Sequence, residues 1–163
     1  MNRNIWVISD THFNHSNIIR YCNRPFSSLE EMNDTIVQNW NNTVKDGDIV
    51  YHLGDVYFNK HHPWMLEKGV LKGRKRLILG NHDDGKDQVL LNSFQKICMW
   101  RMFPEFGLLL THVPVHESTL NHKCPVNIHG HIHNNKSPDK RYKNVCVEWT
   151  NYTPINIEEL RVK

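Results

Sequence analysis

Short apolar runs separated by polar turns set the rhythm of this chain. Ile5–Ser9 (IWVIS) is apolar and partly β-branched, and it reads as a buried strand ending at Asp10. Ser28 and Glu31 have the spacing of a capping box. Leu29, Met32, Ile36 and Trp40 follow at near-helical spacing with Val37 and Val44 flanking, which predicts a helix running to about Lys45. Asp46-Gly47-Asp48 is a turn, and Ile49–Leu53 is the next strand. Trp64–Leu71 predicts a short helix, Arg74–Leu79 a strand and Val89–Phe94 a helical segment. Ile97–Phe103 and Phe106–Thr111 read as paired strands around Pro104-Glu105. Val126–His129 and Val145–Glu148 are further strands, and Ile157–Leu160 is a final helical turn. Strands and helices alternate at first and strands dominate later. That order predicts an α/β domain with a mixed sheet or two packed sheets.

The 163 residues suit a single domain spanning 1–163. Lys and Arg number 20 against 17 Asp and Glu, and a net charge of +3 points to no particular partner. No apolar run approaches the ~18 residues of a membrane span. Runs such as Leu77–Leu79 and Leu108–Leu110 are far shorter than that. The start, Met1-Asn2-Arg3-Asn4, leads straight into an apolar segment and lacks the pattern of a signal peptide, so a cytoplasmic location without membrane contact is expected. Cys22, Cys98, Cys124 and Cys146 are far apart and are expected to be reduced, buried thiols.

Histidine changes the picture. Twelve occur in 163 residues, and several follow predicted strands. After Ile5–Ser9 comes Asp10-Thr11-His12. After Ile49–Leu53 comes Gly54-Asp55. After Arg74–Leu79 comes Gly80-Asn81-His82-Asp83. Leu108–Leu110 leads to Thr111-His112, and Val126–Ile128 to His129-Gly130-His131-Ile132-His133. In α/β folds ligands collect beyond the carboxyl ends of strands. If these ends meet, Asp10, His12, Asp55, Asn81, His112, His131 and His133 converge. Gly-His-x-His alone is expected about 0.04 times by chance in a chain of this composition. Five such signals, each at a strand end, make a far stronger case. Residues i and i+2 of an extended segment point the same way, so His131 and His133 can serve one site, as can Asp10 and His12.

This series resembles the calcineurin-like metallophosphoesterase family in all five of its blocks. The flanks SDTHFNHSNII (residues 9–19) and LILGNHD (77–83) look like its small single-domain bacterial and phage branch, although Asn14 stands where that branch often has Gly. The resemblance implies a four-layer αββα sandwich, two mixed sheets flanked by helices. It also implies two divalent metal ions. Asp10, His12, Asp55 and His133 would hold the first, and Asp55, Asn81, His112 and His131 the second. The mixed N and O set suits Mn, Fe, Zn, Ni or Co, with manganese expected to serve in vitro. The implied reaction is hydrolysis of a phosphodiester or phosphomonoester by a metal-bridging hydroxide, with His82 as acid for the leaving oxygen and Asp83 or another carboxylate orienting its ring.

The expected partner is a small phosphoester or nucleotide. A nuclease acting on nucleic acid and a non-catalytic metal-stabilised scaffold are the rival readings. Gly73-Arg74-Lys75-Arg76 is basic, but short basic runs are common and a turn before a strand is the simpler account. Arg20 and Arg24 could fork a substrate phosphate or lie on a solvated helix face. His15 could touch substrate or a ligand, or begin a helix. His52 and His129 read as core residues, and His61, His62, His116 and His122 as exposed loop residues. Segment 113–123 could line the pocket. The five tryptophans are expected to be mostly core.

Overall fold

The structure, a computed structural model, describes residues 4–58 and 61–162. Among these residues nine strands form two mixed sheets. In the first, β1 (Ile5–Ile8), β2 (Ile49–His52), β3 (Arg74–Ile78) and β4 (Lys96–Cys98) run parallel. In the second, β5 (Trp100–Phe103) pairs antiparallel with β6 (Leu108–Thr111). Next to β6, β7 (Val126–His129) and β8 (Tyr142–Asn144) follow in parallel. β9 (Ile155–Asn156) closes the first sheet antiparallel to β1.

β1, β2 and the Leu77–Ile78 end of β3 are mostly apolar on both faces because both faces are covered there. Ile8, Val50 and Leu77 pack toward the helices, against Met32, Ile36 and Trp40. Val7, Tyr51 and Ile78 point the other way, into a second core with Leu108, Leu110 and Ile128. The predicted α/β architecture of two packed mixed sheets is borne out. α1 (Ser16–Tyr21), α2 (Leu29–Thr43) and α3 (Gln88–Ser93) contribute to the helix-side core, and α4 (Ile157–Leu160) feeds the core between the sheets. The far face of the second sheet is overlaid by segment 112–125 with its single 3-10 turn, Glu117–Thr119. Val115 N donates to Asn127 Oδ1 (3.0 Å), and the Tyr142 hydroxyl donates to Val115 O (3.0 Å).

The capping box forms with a shift. Glu31 N donates to Ser28 Oγ (3.0 Å), whereas the Glu31 carboxylate reaches back one residue further, to Ser27 N (2.7 Å). Each buried apolar side chain on this helix contributes roughly 1.5–3 kcal/mol relative to exposure. No helix among the described residues is long and apolar enough to cross a membrane.

Four expectations need correction. Ile97–Phe103 is two strands in different sheets. Cys98 pairs with Ile78 and Trp100 with Thr111, so the chain changes sheet at Met99. Both halves are extended and no pattern marks the crossing. Trp64–Leu71 has only a 3-10 turn, Trp64–Leu66, because Glu67 is already extended and Gly69 turns the chain at positive φ. Val145–Glu148 is not a strand. Cys146 makes one bridge to Ser9, then turns begin as Trp149 N bonds Cys146 O and Tyr152 N bonds Val147 O. Finally, only Trp40 among the tryptophans is fully buried, and Trp64, Trp100 and Trp149 are 38%, 62% and 51% exposed.

Candidate metal centre

Strands β1, β2, β3, β6 and β7 deliver their chains to one edge of the sandwich, and short backbone bonds tie the ends together. Asp10 N donates to Gly54 O (3.0 Å), and Gly130 N donates to His112 O (2.8 Å). Such closeness requires glycine. A Cβ on Gly80 would lie 2.2 Å from Asp55 Oδ1, and one on Gly130 would lie 2.0 Å from Ser9 Oγ.

All seven predicted ligands meet here. Asp10 Oδ2 accepts from the Ser9 hydroxyl and from His131 N (2.9 Å). Its other oxygen, Oδ1, lies 3.8 Å from His12 Nε2 and 3.7 Å from His133 Nε2. Asp55 Oδ1 accepts from His82 N (2.9 Å). Asp55 Oδ2 sits between His12 Nε2 (3.5 Å) and His112 Nε2 (3.6 Å). Asn81 Oδ1 is 2.9 Å from His112 Nε2 and 2.8 Å from His131 Nδ1. Two donor groups thus stand back to back with one Asp55 oxygen common to both.

The donors fit a pair of cations. Asp10 Oδ1 and His12 Nε2 are buried without a hydrogen-bond partner, which native proteins rarely tolerate. His112 Nδ1 lies 2.7 Å from Leu53 O and must donate its proton there. In the neutral ring Nε2 then carries a lone pair facing the oxygens of Asn81 and Asp55, a repulsive arrangement that a cation turns into ligation. Burial alone would raise the Asp10 and Asp55 carboxyls. For Asp10 the histidines and Ser9 outweigh it, for Asp55 chiefly His12 and His112, and both are held below the usual carboxylate range.

The backbone corrects one step of the sequence argument. His131 and His133 do not lie on an extended segment, since β7 ends at His129. Asp10, His12, Asp55, His131 and His133 all have left-handed φ, between 47° and 69°. The i, i+2 pairs reach a common site through turns, which Asp and His tolerate better than β-branched residues do.

Around the ligands, His82 is exposed, with its ring 5.8 Å from that of His12 and 5.2 Å from that of Phe58. The Asp83 carboxylate accepts from Gly80 N (2.8 Å), Asp55 N (2.8 Å) and Val56 N (3.0 Å), so it staples two ligand loops together. His15 precedes α1, and its Nδ1 is 3.2 Å from His12 Nδ1. His52 supports the first loop from the core. Its Nε2 donates to Thr11 Oγ1 (2.9 Å), whose hydroxyl donates to Val56 O, and Gly54 N donates to Nδ1. Burial drives its pKa down to about 3, so it stays neutral. His129 is fully buried and engages Gly130 O and Ser137 Oγ.

Arg24 lies neither on substrate nor on a solvated face. It is buried with Glu148, a residue that sequence reasoning passed over inside a supposed strand. Arg20 is exposed over Tyr21. Arg74, Lys75 and Arg76 begin β3, remote from the ligand-bearing end of that strand. His61, His62, His116 and His122 are exposed. Segment 113–123 contributes Val113, Val115, Thr119 and Asn121 to an apolar groove of about 500 Å³ that His112 also lines.

Comparison with known proteins agrees with this geometry. The family described as calcineurin-like phosphoesterase matches residues 3–157. The uncharacterized protein MJ1445 of Methanocaldococcus jannaschii is 40% identical over 96% of this chain and 88% of its own length. The gene 66 protein of Mycobacterium phage L5 is 35% identical over 49% of this chain, which spans 40% of that relative. The crystal structure of AQ665 from Aquifex aeolicus, a protein of unknown function, superposes with a TM-score of 0.81 at 30% identity over 98% of both chains. With the matched region enclosing every residue of the cage, this chain belongs to the calcineurin-like phosphoesterase family.

Proposed function

We propose that the chain hydrolyses a P–O ester bond in a phosphodiester or phosphomonoester, with nucleotides or nucleic-acid ends among its substrates, and that it acts in the cytoplasm. One observation carries this reading: Asp55 Oδ2, 3.5 Å and 3.6 Å from two histidine nitrogens, makes two donor sets into one paired site. When bound, two divalent ions supply a water ionised near neutral pH and neutralise the phosphoryl oxygens. The ligand set contains no thiolate, which suits Mn, Fe, Zn, Co or Ni. Asp10 and Asp55 bring two negative charges, half of what two divalent cations carry, so the centre favours an oxyanion.

His82 has the remaining chemical role. Its backbone is pinned to Asp55, and its exposed ring stands beside His12. As the water oxygen bonds to phosphorus the P–O ester bond breaks, and His82 passes its proton to the departing oxygen so that the alcohol leaves neutral. The test is turnover of mono-, di- and cyclic phosphoesters, including bis-p-nitrophenyl phosphate, after loading with Mn²⁺, Zn²⁺, Ni²⁺ or Fe²⁺. His82→Ala is expected to keep its ions and lose roughly 10²–10⁴-fold on an alkyl ester, with a smaller loss on a nitrophenyl ester. Absence of metal-dependent turnover on every ester overturns the function, and unchanged alkyl-ester turnover in His82→Ala overturns the role of His82.

A further inference from the structure

We propose that Arg24 and Glu148 form a buried relay that positions His133, and with it the first ion site. The Arg24 side chain is entirely buried, and its guanidinium joins the two segments that furnish that site. On one side Nη2 donates to Asp10 O (2.8 Å) and Nη1 to Thr11 O (2.9 Å), the two carbonyls that precede His12. On the other side Nε (3.0 Å) and Nη2 (2.8 Å) both reach Glu148 Oε1. That same oxygen lies 3.1 Å from His133 Nδ1. His133 therefore donates Nδ1–H to the carboxylate and turns the Nε2 lone pair toward Asp10 Oδ1.

The chemistry requires these residue types. Only Arg presents five donors in a rigid fork able to bind two carbonyls and a carboxylate at once. A carboxylate behind a ligating histidine fixes its tautomer and strengthens it as a donor. Stability does not explain the pair, because a buried ion pair is often no better than apolar packing. Glu148 Oε2 is even left buried without a hydrogen-bond partner. The Cys22 thiol belongs to the same cluster, its sulfur within 4.8 Å of the His133 and Glu148 donor atoms, while Glu148 Oε1 is already shared between Arg24 and His133.

The relay rests on His133 being a ligand, as the proposed function has it, but not on the reaction. The test is Mn²⁺ binding to the full chain, followed by titration calorimetry and by electron paramagnetic resonance, which distinguishes one bound Mn²⁺ from a coupled pair. Glu148→Gln preserves shape and removes the charge. It is expected to weaken the first ion 10–100-fold while the second binds as before, and to lose the coupled-pair signal at Mn²⁺ concentrations that saturate the wild type. Arg24→Lys keeps the charge but cannot fork, and is expected to reproduce that selective loss. Unchanged affinity at both sites in Glu148→Gln overturns the relay, as does equal weakening of both ions. A wild type that binds no Mn²⁺ pair removes the ligand role of His133 and with it the proposed function, a distinct result.

Discussion

Replacing Gly130 by Ala puts one methyl group where the strand ends touch. The new Cβ would stand 2.0 Å from Ser9 Oγ and 2.2 Å from Asp10 Oδ2. To reach an ordinary 3.4 Å contact these atoms must retreat by about 1.4 Å and 1.2 Å. Neither has room, since Ser9 and Asp10 are both fully buried, and Asp10 Oδ2 is held by Ser9, His131 N and Cys146 Sγ. Overpacking of this kind costs about 1–3 kcal/mol. Loss of one hydrogen bond to a charged carboxylate adds about 1.5–3 kcal/mol. Gly130→Ala is therefore expected to lower stability by about 2.5–6 kcal/mol and to move His131 by an ångström or so, a displacement worth ~10²-fold in turnover. Gly47→Ala is the control, because a Cβ there meets nothing within 4 Å. Denaturant unfolding and metal analysis of both variants check the reasoning. A Gly130→Ala protein within about 0.5 kcal/mol of wild type, the scatter of ordinary surface substitutions, and carrying a full ion pair would refute it.

Two further outcomes follow from the same geometry. Asp83→Asn leaves one acceptor oxygen for three backbone N–H groups, so it is expected to cost about 2–3 kcal/mol and to weaken the second ion, read from the urea midpoint and Mn²⁺ titration. An unchanged midpoint would show that the staple is dispensable. Burial would raise the Asp48 carboxyl, but bonds from Trp6 Nε1 (2.9 Å), Lys45 N (3.1 Å) and Asn4 N (3.3 Å) outweigh it and hold it below its ordinary value. Its folded pKa lies below the unfolded ~3.9, so its stabilisation is present above about pH 4 and is lost as pH falls through the folded value. Asp48→Ala is expected to cost about 1–3 kcal/mol at pH 7 and to flatten the acid limb of a melting-temperature profile. A limb as steep as the wild type's would assign acid sensitivity elsewhere.

The cage was legible because its chemistry is local. Each candidate ligand follows a short apolar run, and the motifs survive uncertainty of a few residues in strand limits. Helix α2 was legible because one face must be apolar at near-helical spacing, although it ends at Thr43 rather than near Lys45. What escaped prediction is set by tertiary context. Met99 marks a change of sheet between two extended stretches, and nothing in their pattern distinguishes one strand from two. Tyr142–Asn144 is a strand because β7 is there to pair with it. Arg24 and Glu148 are 124 positions apart, and their partnership appears only when the chain folds. The left-handed turns at the histidines were hidden for a similar reason, since His and Asp do not announce them as Gly does.

Those turns have a consequence for how this protein can change. Sparsely populated backbone conformations cost of order 1–3 kcal/mol apiece, so five of them hold about 5 kcal/mol even at the low end. That sum rivals the net stability of a typical domain. Glycine at any of the five would relax the main chain while deleting a proposed ligand. Drift toward a sturdier molecule and retention of the cage therefore pull in opposite directions at the same five positions.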